Sequence, residues 1–214
     1  MAAQLPKIPF QLRGGCFCRS IRYTISVPAL EDRRELPQAP ASLDRMLVPV
    51  NEVNARMPII SLDHCRSCRG VPGAILGSWV ICPPEWVTFE LQPLDTEKDT
   101  IKKDAMSYLE TDKSLADQTT MTHFQSSENT NRTFCGKCGT HLTFYKSGPA
   151  SPMKQLLGPF FDISTGTLDK ACLEMEGLVP GMQVWDQEGI PWVVKLVAEG
   201  KKGLLVQNEV AKES

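Results

Sequence analysis

Six of the eight cysteines in this 214-residue chain occur as three short pairs, and this pattern constrains the fold more than any other feature. A disulfide is geometrically awkward across one or two intervening residues, whereas two thiolates at this spacing can bind one metal ion from a single turn. The pairs are Cys16 with Cys18, Cys65 with Cys68, and Cys135 with Cys138. They predict metal sites that connect distant segments of the chain.

The two outer pairs together supply four thiolates, which is a common ligand set of a closed tetrahedral structural zinc. Cys16, Cys18, Cys135 and Cys138 therefore predict one structural site that fastens the first strand to the late strands. The alternative is that these four residues are free, reduced cysteines that only cluster.

The middle pair supplies only two thiolates, and a catalytic zinc typically has three protein ligands and one exchangeable position. Asp63 is the first candidate for the third ligand, and His64 is its rival. In an extended segment Asp63 and Cys65 point to the same side, whereas His64 points away. We therefore predict a second zinc at Asp63, Cys65 and Cys68, where we expect the catalytic chemistry. The alternative is that Asp63 only caps the turn and the two thiols bind nothing.

Charge and hydropathy exclude several classes of partner. The formal net charge of -2 gives no general electrostatic reason to bind nucleic acid or an anionic membrane. No segment approaches the roughly 18 apolar residues of a membrane span, and the N-terminal residues lack the apolar core of a signal peptide. We expect a cytoplasmic protein with reduced thiols that acts on a small-molecule substrate. The sequence leaves the oligomeric state open, a homodimer included.

Short alternating segments, frequent turns and few credible helices predict a mainly β fold of antiparallel strands. We expect one zinc-binding domain at 10–198, with insertions at about 28–58 and 95–118, and a C-terminal tail at 199–214. The first insertion is expected to contain an ordered piece at 43–50, and the second a helix at about 102–109. The predicted strands include 21–27, 59–62, 73–81, 86–91 and 141–146.

Four further residues are candidates for substrate binding. Arg66 and Arg69 flank the second cysteine of the middle pair, and guanidinium groups suit a substrate carboxylate, although surface solvation is an equal alternative. Ser126 and Ser127 are predicted to line the pocket, with a turn-forming role as the alternative.

Four other residues are weaker candidates. His123 and His141 could transfer protons near neutral pH, but a structural or surface role is more frequent for a lone histidine. The sequence therefore names no proton-transfer residue. Cys82 and Cys172, which stand alone, are interpreted as small buried apolar residues.

Taken together, these segments resemble the glutathione-dependent formaldehyde-activating enzyme (Gfa) family, which includes centromere protein V. The resemblance covers most of the chain outside the two insertions. The matching segments are Gly-Gly-Cys-Phe-Cys at 14–18, Ile-Arg-Tyr at 21–23, His-Cys-Arg-Ser-Cys-Arg at 64–69, Ser126 with Ser127, Arg-Thr-Phe-Cys-Gly-Lys-Cys-Gly-Thr at 132–140, Ile-Ser-Thr-Gly-Thr-Leu-Asp at 163–169, Trp185, and Pro191 with Trp192.

The resemblance implies a zinc-clasped assembly of antiparallel sheets of the Mss4-like, or β-tent, kind. It implies two zinc ions per chain, a structural one at the outer four cysteines and a catalytic one at Cys65 and Cys68. The implied activity is that of a carbon–sulfur lyase or synthase. Such an enzyme joins the thiol of glutathione, its co-substrate, to formaldehyde to give S-hydroxymethylglutathione, or reverses that step.

One departure from the family concerns Asp63, because the family usually has a cysteine at this position. A carboxylate is a harder ligand that donates less electron density, so the zinc should be a stronger Lewis acid. This difference weakens the case for glutathione as the native substrate.

Two other functions therefore remain open. One is a lyase, hydrolyase, decarboxylase or cyclase of specialised small-molecule metabolism that does not use glutathione. The other is a non-catalytic zinc-binding interaction module, as the centromere relative suggests. A long basic tail would favour the module, and the pair Lys201 and Lys202 is too short a cluster to provide one.

Overall fold

The computed structural model describes residues 4–36, 53, 55–109, 113–147 and 158–199. Within these ranges eleven strands form two sheets. The strands are β1 Phe10–Gly15, β2 Ile21–Val27, β3 Ile59–Asp63, β4 Gly77–Cys82, β5 Val87–Leu91, β6 Ile101–Asp104, β7 Met121–Ser127, β8 Thr130–Cys135, β9 His141–Lys146, β10 Phe161–Ser164 and β11 Met182–Val184. The helices are α1 Arg66–Gly70, α2 Ala105–Leu109, α3 Lys113–Gln118, α4 Lys170–Leu173 and α5 Pro191–Glu199. Across the described ranges, no helix combines the length and the apolar character needed to cross a lipid bilayer.

The smaller sheet has the strand order β1-β2-β5-β6, and the larger sheet has the order β11-β3-β4-β10-β9-β8-β7. Neighbouring strands are antiparallel except at one edge, where β11 runs parallel to β3. The chain is therefore mainly β, as the sequence predicts, but the larger sheet is mixed. The parallel pair follows from a long connection, because β11 reaches this edge through residues 165–181 rather than through a tight hairpin.

The apolar core lies between the two sheets. Burial alternates along β2, where Tyr23 and Ile25 are buried and Thr24 between them is only partly so. Phe89 of the smaller sheet meets Phe161 of the larger sheet edge-to-face, with 6.0 Å between the ring centroids. The strand period of two therefore gives each sheet one face that packs against the other sheet.

The opposite face of the larger sheet, called the outer face below, carries charged and aromatic side chains. Residues directly opposite each other in antiparallel strands point to the same face. Asp162 of β10 lies opposite both Ile81 of β4 and Phe144 of β9. Phe144 in turn lies opposite Arg132 of β8. The neighbouring row, which includes Ile163, is buried in the core instead.

Two local predictions are wrong in their boundaries. The helix predicted at about 102–109 begins only at Ala105, because residues 101–104 form β6 and pair with β5. The strand predicted at 73–81 begins at Gly77, because the preceding residues form the turn that follows α1. The ordered piece predicted at 43–50 and nearly all of the tail predicted at 199–214 lie outside the described residues.

Candidate metal centres and cleft

The two outer cysteine pairs meet in space. Their four sulfur atoms all lie within 4.8 Å of one another. The sulfur of Cys18 is 3.5 Å from that of Cys16 and 3.6 Å from that of Cys135. These separations are too long for a disulfide of about 2.05 Å, and they approach the roughly 3.8 Å edge of a tetrahedron with zinc–sulfur bonds of about 2.3 Å. Cys16, Cys18, Cys135 and Cys138 could therefore hold one metal ion, and a ligand set of four thiolates is compatible with zinc.

The two turns that carry these pairs have the same construction. Each turn contains a residue with a left-handed backbone, Arg19 with a φ of +64° and Gly139 with a φ of +74°. The N–H of Arg19 donates to the Cys16 carbonyl at 2.9 Å, and that of Gly139 donates to the Cys135 carbonyl at 2.8 Å. Each turn thus brings its two thiols close together, and the Phe17 N–H of the first turn donates to the Thr140 hydroxyl beside the second at 3.1 Å.

Polar groups favour the charged form of two of these thiols, Cys18 and Cys138, whereas burial raises the pKa of Cys16 to about 12. The Ile21 N–H donates to the sulfur of Cys16 at 3.3 Å, and the hydroxyl of Thr140 lies 3.2 Å from the sulfur of Cys138. Burial alone would raise the pKa of Cys138, but hydrogen bonds from the side chain and backbone of Thr140 lower it to about 6. Thiolates are the form that a metal ion binds.

The second group of donors lies where β3 passes into α1. One carboxylate oxygen of Asp63 and the sulfurs of Cys65 and Cys68 lie within 4.8 Å of one another. The Cys68 N–H donates to the sulfur of Cys65 at 3.3 Å. A hydrogen bond from the Cys68 thiol lowers the pKa of Cys65 to about 6, whereas the same bond and burial raise that of Cys68. These three residues could hold a metal ion.

The structure groups Asp63, and not His64, with the two thiols. His64 has no exposed surface, and its Nε2 lies 3.1 Å from the Gln183 Oε1 on β11. Asp63 also caps the turn, because its Oδ1 accepts a hydrogen bond from the Cys65 N–H at 2.8 Å. A carboxylate has a second oxygen, so capping and metal binding are compatible roles for this residue.

A cleft of about 1020 Å³ lies over the outer face, and all three donors of the second group line it. None of the four thiols of the first group does. Its aromatic walls include Trp79, Phe144, Phe160 and Trp185. The second group is therefore reachable by a small molecule in this cleft, whereas the first group lies apart from it.

Arg132 connects the outer face to the second group. Its side chain has no exposed surface, and its Nη2 lies 3.3 Å from the Ser67 hydroxyl and 3.5 Å from the sulfur of Cys68. The guanidinium carbon lies 4.8 Å from the ring centroid of Phe144. A buried cation is costly unless anions lie nearby, and the carboxylate and thiolates of the second group supply them.

Sequence reasoning did not single out Arg132, which was noted only as part of a motif. Its proximity to Cys68 depends on the packing of β8 against α1, and these elements are more than 60 positions apart in the sequence. The available signal was an arginine within a strand of otherwise uncharged residues.

Arg132→Met should weaken metal retention at the second group by about 10- to 100-fold, because the substitution removes the hydrogen bond that orients the sulfur of Cys68. Methionine has a similar volume, so the fold should survive. Competition with a chromogenic chelator measures the effect. Ser126→Ala, which removes only a hydrogen bond to the Arg132 Nε at 3.1 Å, is the control and should change retention only slightly. Equal retention in wild type and Arg132→Met would contradict this role.

The two arginines that are predicted to bind a substrate carboxylate differ in position. Arg66 lines the cleft. Arg69 is not among the lining residues, because its guanidinium donates to the backbone carbonyls of His64 at 3.0 Å and Glu188 at 3.1 Å. Arg69 thus fastens the segment after β11 to α1, and a substrate contact for it remains a prediction from the sequence.

The two predicted serines also differ in position. Ser127 lines the cleft. Ser126 does not, and its hydroxyl instead accepts a hydrogen bond from the Arg132 Nε. Ser126 therefore acts on the cleft only through Arg132.

Neither candidate histidine lines the cleft. The Nε2 of His123 lies 2.9 Å from the Asn131 Oδ1, a contact between neighbouring strands. His141 packs against Trp79 at 5.7 Å between ring centroids. Burial, with a smaller contribution from the charge of Arg132, lowers the pKa of His141 from its usual 6.5 to about 4. His141 is therefore neutral at physiological pH and supports the wall of the cleft.

His141→Gln should change how stability depends on pH. Between pH 6.5 and about 4 the unfolded wild-type chain binds a proton at this histidine and the folded chain does not, so acid destabilises the wild type by up to about 3 kcal/mol. The variant lacks this contribution. Urea unfolding at several pH values measures how the unfolding free energies of the two proteins differ. Both proteins have the same cysteines, so the cysteines do not contribute to this difference. Parallel profiles for the two proteins would contradict the assignment.

Comparison with models of known protein families gave no match, and comparison with curated proteins gave none either. The arguments about function below therefore rest on the two donor groups, the cleft and the sequence motifs.

Proposed function

We propose that this chain is a zinc-dependent carbon–sulfur lyase, or synthase, that acts on a small carbonyl compound or thiol adduct and has an Mss4-like fold of the Gfa and centromere protein V type. The observation that carries the proposal is the difference between the two donor groups. Four thiols complete one group away from the cleft, whereas the other has three donors that line the cleft. Structural zinc sites have the first arrangement, and catalytic zinc sites have the second.

Asp63, Cys65 and Cys68 would hold the catalytic zinc. When bound there, zinc supplies Lewis-acid chemistry, which lowers the pKa of a thiol or water and polarises a carbonyl group. Arg132 contributes a fixed positive charge beside Cys68 and so offsets the negative charge of the three donors. The Asp63 hydrogen bond to the Cys65 N–H keeps the turn in the shape that brings the donors together.

The reaction that fits this site is addition of a thiol to an aldehyde. The carbon–sulfur bond forms at the carbonyl carbon, and the thiol proton passes to the carbonyl oxygen. The reverse step breaks the same bond and returns the proton to sulfur. Arg66 and Lys146 line the cleft and would attract a substrate carboxylate, while the ring of Phe144 excludes water from part of the floor.

A second candidate is an enzyme of specialised small-molecule metabolism that does not use glutathione. Two observations favour a substrate other than glutathione. Asp63 replaces the expected third cysteine, and the walls of the cleft are largely aromatic and aliphatic. A tripeptide as polar as glutathione would leave such walls poorly covered.

Exchange between labelled formaldehyde and its thiol adduct, followed by NMR, tests the proposed function. Zinc-loaded wild type should accelerate the exchange, and Cys68→Ser should lose the acceleration by a factor of about 100 or more. Cys172→Ser, at a buried cysteine outside both donor groups, is the matched control. Acceleration with simple thiols but not with glutathione would favour the second candidate. No acceleration with any thiol or aldehyde, despite a full second metal site, would point to a non-catalytic module.

A further inference from the structure

The outer face contains three buried polar atoms that have no hydrogen-bond partner among the described residues. They are the hydroxyl of Ser61, the Nη1 of Arg132 and the Oδ1 of Asp162. Ser61 and Asp162 both line the cleft. Buried polar atoms are nearly always paired, because leaving one unpaired is costly. Unpaired atoms grouped in one cleft indicate a bound molecule that would complete their hydrogen bonds.

Asp162 is the most unusual of these residues. It lies within β10 between Ile81 and Phe144 of the neighbouring strands, and it is only 6% exposed. Burial, and then the charge of Asp63, raise the pKa of Asp162 well above its usual value, while Arg132 opposes the shift. Burial therefore disfavours the charged form of this carboxyl, and the protonated form can both donate and accept a hydrogen bond. Nothing in the chemistry of the metal-binding group uses it.

The walls around Asp162 suit a flat apolar body. Trp79 and Phe144 lie 6.1 Å apart between ring centroids, and Phe160 adds a third aromatic side chain to the lining. At the mouth, Trp185 has a left-handed backbone with a φ of +59° and leaves 57% of its surface exposed. An exposed aromatic residue in a costly backbone conformation is typical of a binding surface.

The volume of the cleft also favours a ligand larger than a formaldehyde adduct. At about 1020 Å³ it lies at the upper end of the roughly 300–1,000 Å³ range of sites that bind drug-sized molecules. An adduct of formaldehyde with a small thiol would fill only a fraction of this space. The remaining volume would hold water against aromatic walls, which is unfavourable.

We propose that the cleft binds a substrate with a flat apolar body, such as a fused aromatic ring system, whose hydroxyl or carbonyl oxygen forms a hydrogen bond with the Asp162 carboxyl. This inference rests on the proposed function and names its substrate class. The reacting group of the same molecule would face Asp63, Cys65 and Cys68. Asp162 is then a specificity-determining residue, and glutathione is a poor fit because it offers no flat apolar body.

Binding of coumarin and of umbelliferone, which is coumarin with one added hydroxyl, tests the inference. Titration calorimetry on the zinc-loaded protein below pH 7 keeps this hydroxyl neutral. The wild type should bind umbelliferone about tenfold more tightly than coumarin, because the added hydroxyl can pair with Asp162. Asp162→Leu should reduce the ratio to about one without weakening coumarin binding. Cys172→Ser, at a buried residue that does not line the cleft, is the control and should keep the ratio.

Three results would overturn the inference. They are equal binding of the two coumarins by wild type, an unchanged ratio in Asp162→Leu, and tighter binding of glutathione than of umbelliferone. The comparison of coumarin with umbelliferone on the wild type needs no variant, so it tests the inference even if Asp162→Leu fails to fold. The titration involves no turnover and can be repeated on Cys68→Ser. Umbelliferone selectivity without any carbon–sulfur chemistry would support the inference and overturn only the proposed function.

Discussion

Cys138→Ser should leave the chain largely unfolded at physiological temperature. Cys16 and Cys18 lie in the turn between β1 and β2 of the smaller sheet, whereas Cys135 and Cys138 lie at the turn between β8 and β9 of the larger sheet. An ion at this group therefore joins the two sheets at one point. A structural zinc contributes roughly 10–16 kcal/mol to folding, which is comparable to or larger than the roughly 5–15 kcal/mol net stability of a domain. Loss of one ligand should cost on the order of 5 kcal/mol.

Urea unfolding followed by circular dichroism measures this effect. Cys172→Ser is the control, because Cys172 is a buried cysteine whose sulfur accepts a hydrogen bond from the Arg13 N–H at 3.3 Å. It belongs to neither donor group, so its replacement should cost only about 1 kcal/mol. Similar losses of unfolding free energy at positions 138 and 172 would mean that no ion joins the sheets.

Asp63→Asn should lose the second metal ion while the fold remains intact. Asparagine keeps the side-chain oxygen that accepts the hydrogen bond from the Cys65 N–H, so the turn before α1 should persist. It lacks the negative charge that a carboxylate ligand supplies. We expect metal affinity at this group, and any activity that depends on it, to fall by about 100-fold or more. When both proteins are compared with the second site free of metal, the unfolding free energy should change by less than about 1 kcal/mol.

Asp63→Ala separates the two roles of this residue. It removes both the ligand and the hydrogen bond, so it should lose the metal as Asp63→Asn does and also cost about 1 kcal/mol more in unfolding free energy. Chelator competition reports the metal, and urea unfolding reports the turn. If Asp63→Asn retains the metal as tightly as wild type does, Asp63 only caps the turn and the proposed ligand set is wrong.

The cysteine pairs and the second donor group could be predicted from the sequence because their determinants are local, whereas the meeting of the two outer pairs, 117 positions apart, was inferred from the four ligands that a structural zinc needs. Two cysteines separated by one or two residues share a turn, whatever the rest of the chain does. The grouping of Asp63 with Cys65, and not His64, follows from the two-residue period of an extended segment. The strand at 21–27 was predictable for the same reason, since its burial alternates from one residue to the next.

The remaining features of the site depend on strand register, which a short stretch of sequence does not specify. Arg132 and Asp162 lie on the same face only because β8, β9 and β10 are adjacent in one register. A shift by one residue would move Asp162 into the core and Ile163 into the cleft. The helix predicted at about 102–109 failed similarly, because pairing of residues 101–104 with β5 overrides their local propensity. The parallel placement of β11 beside β3 also had no local signal.

The central claim is that one chain holds two metal ions in different roles, and metal content per chain tests it most directly. Native mass spectrometry with elemental analysis should find two zinc ions in wild type. It should find one in the triple variant Asp63→Ala, Cys65→Ser, Cys68→Ser, which should remain folded. A single ion in wild type that the triple variant retains would contradict the account, because Asp63, Cys65 and Cys68 would then bind no zinc.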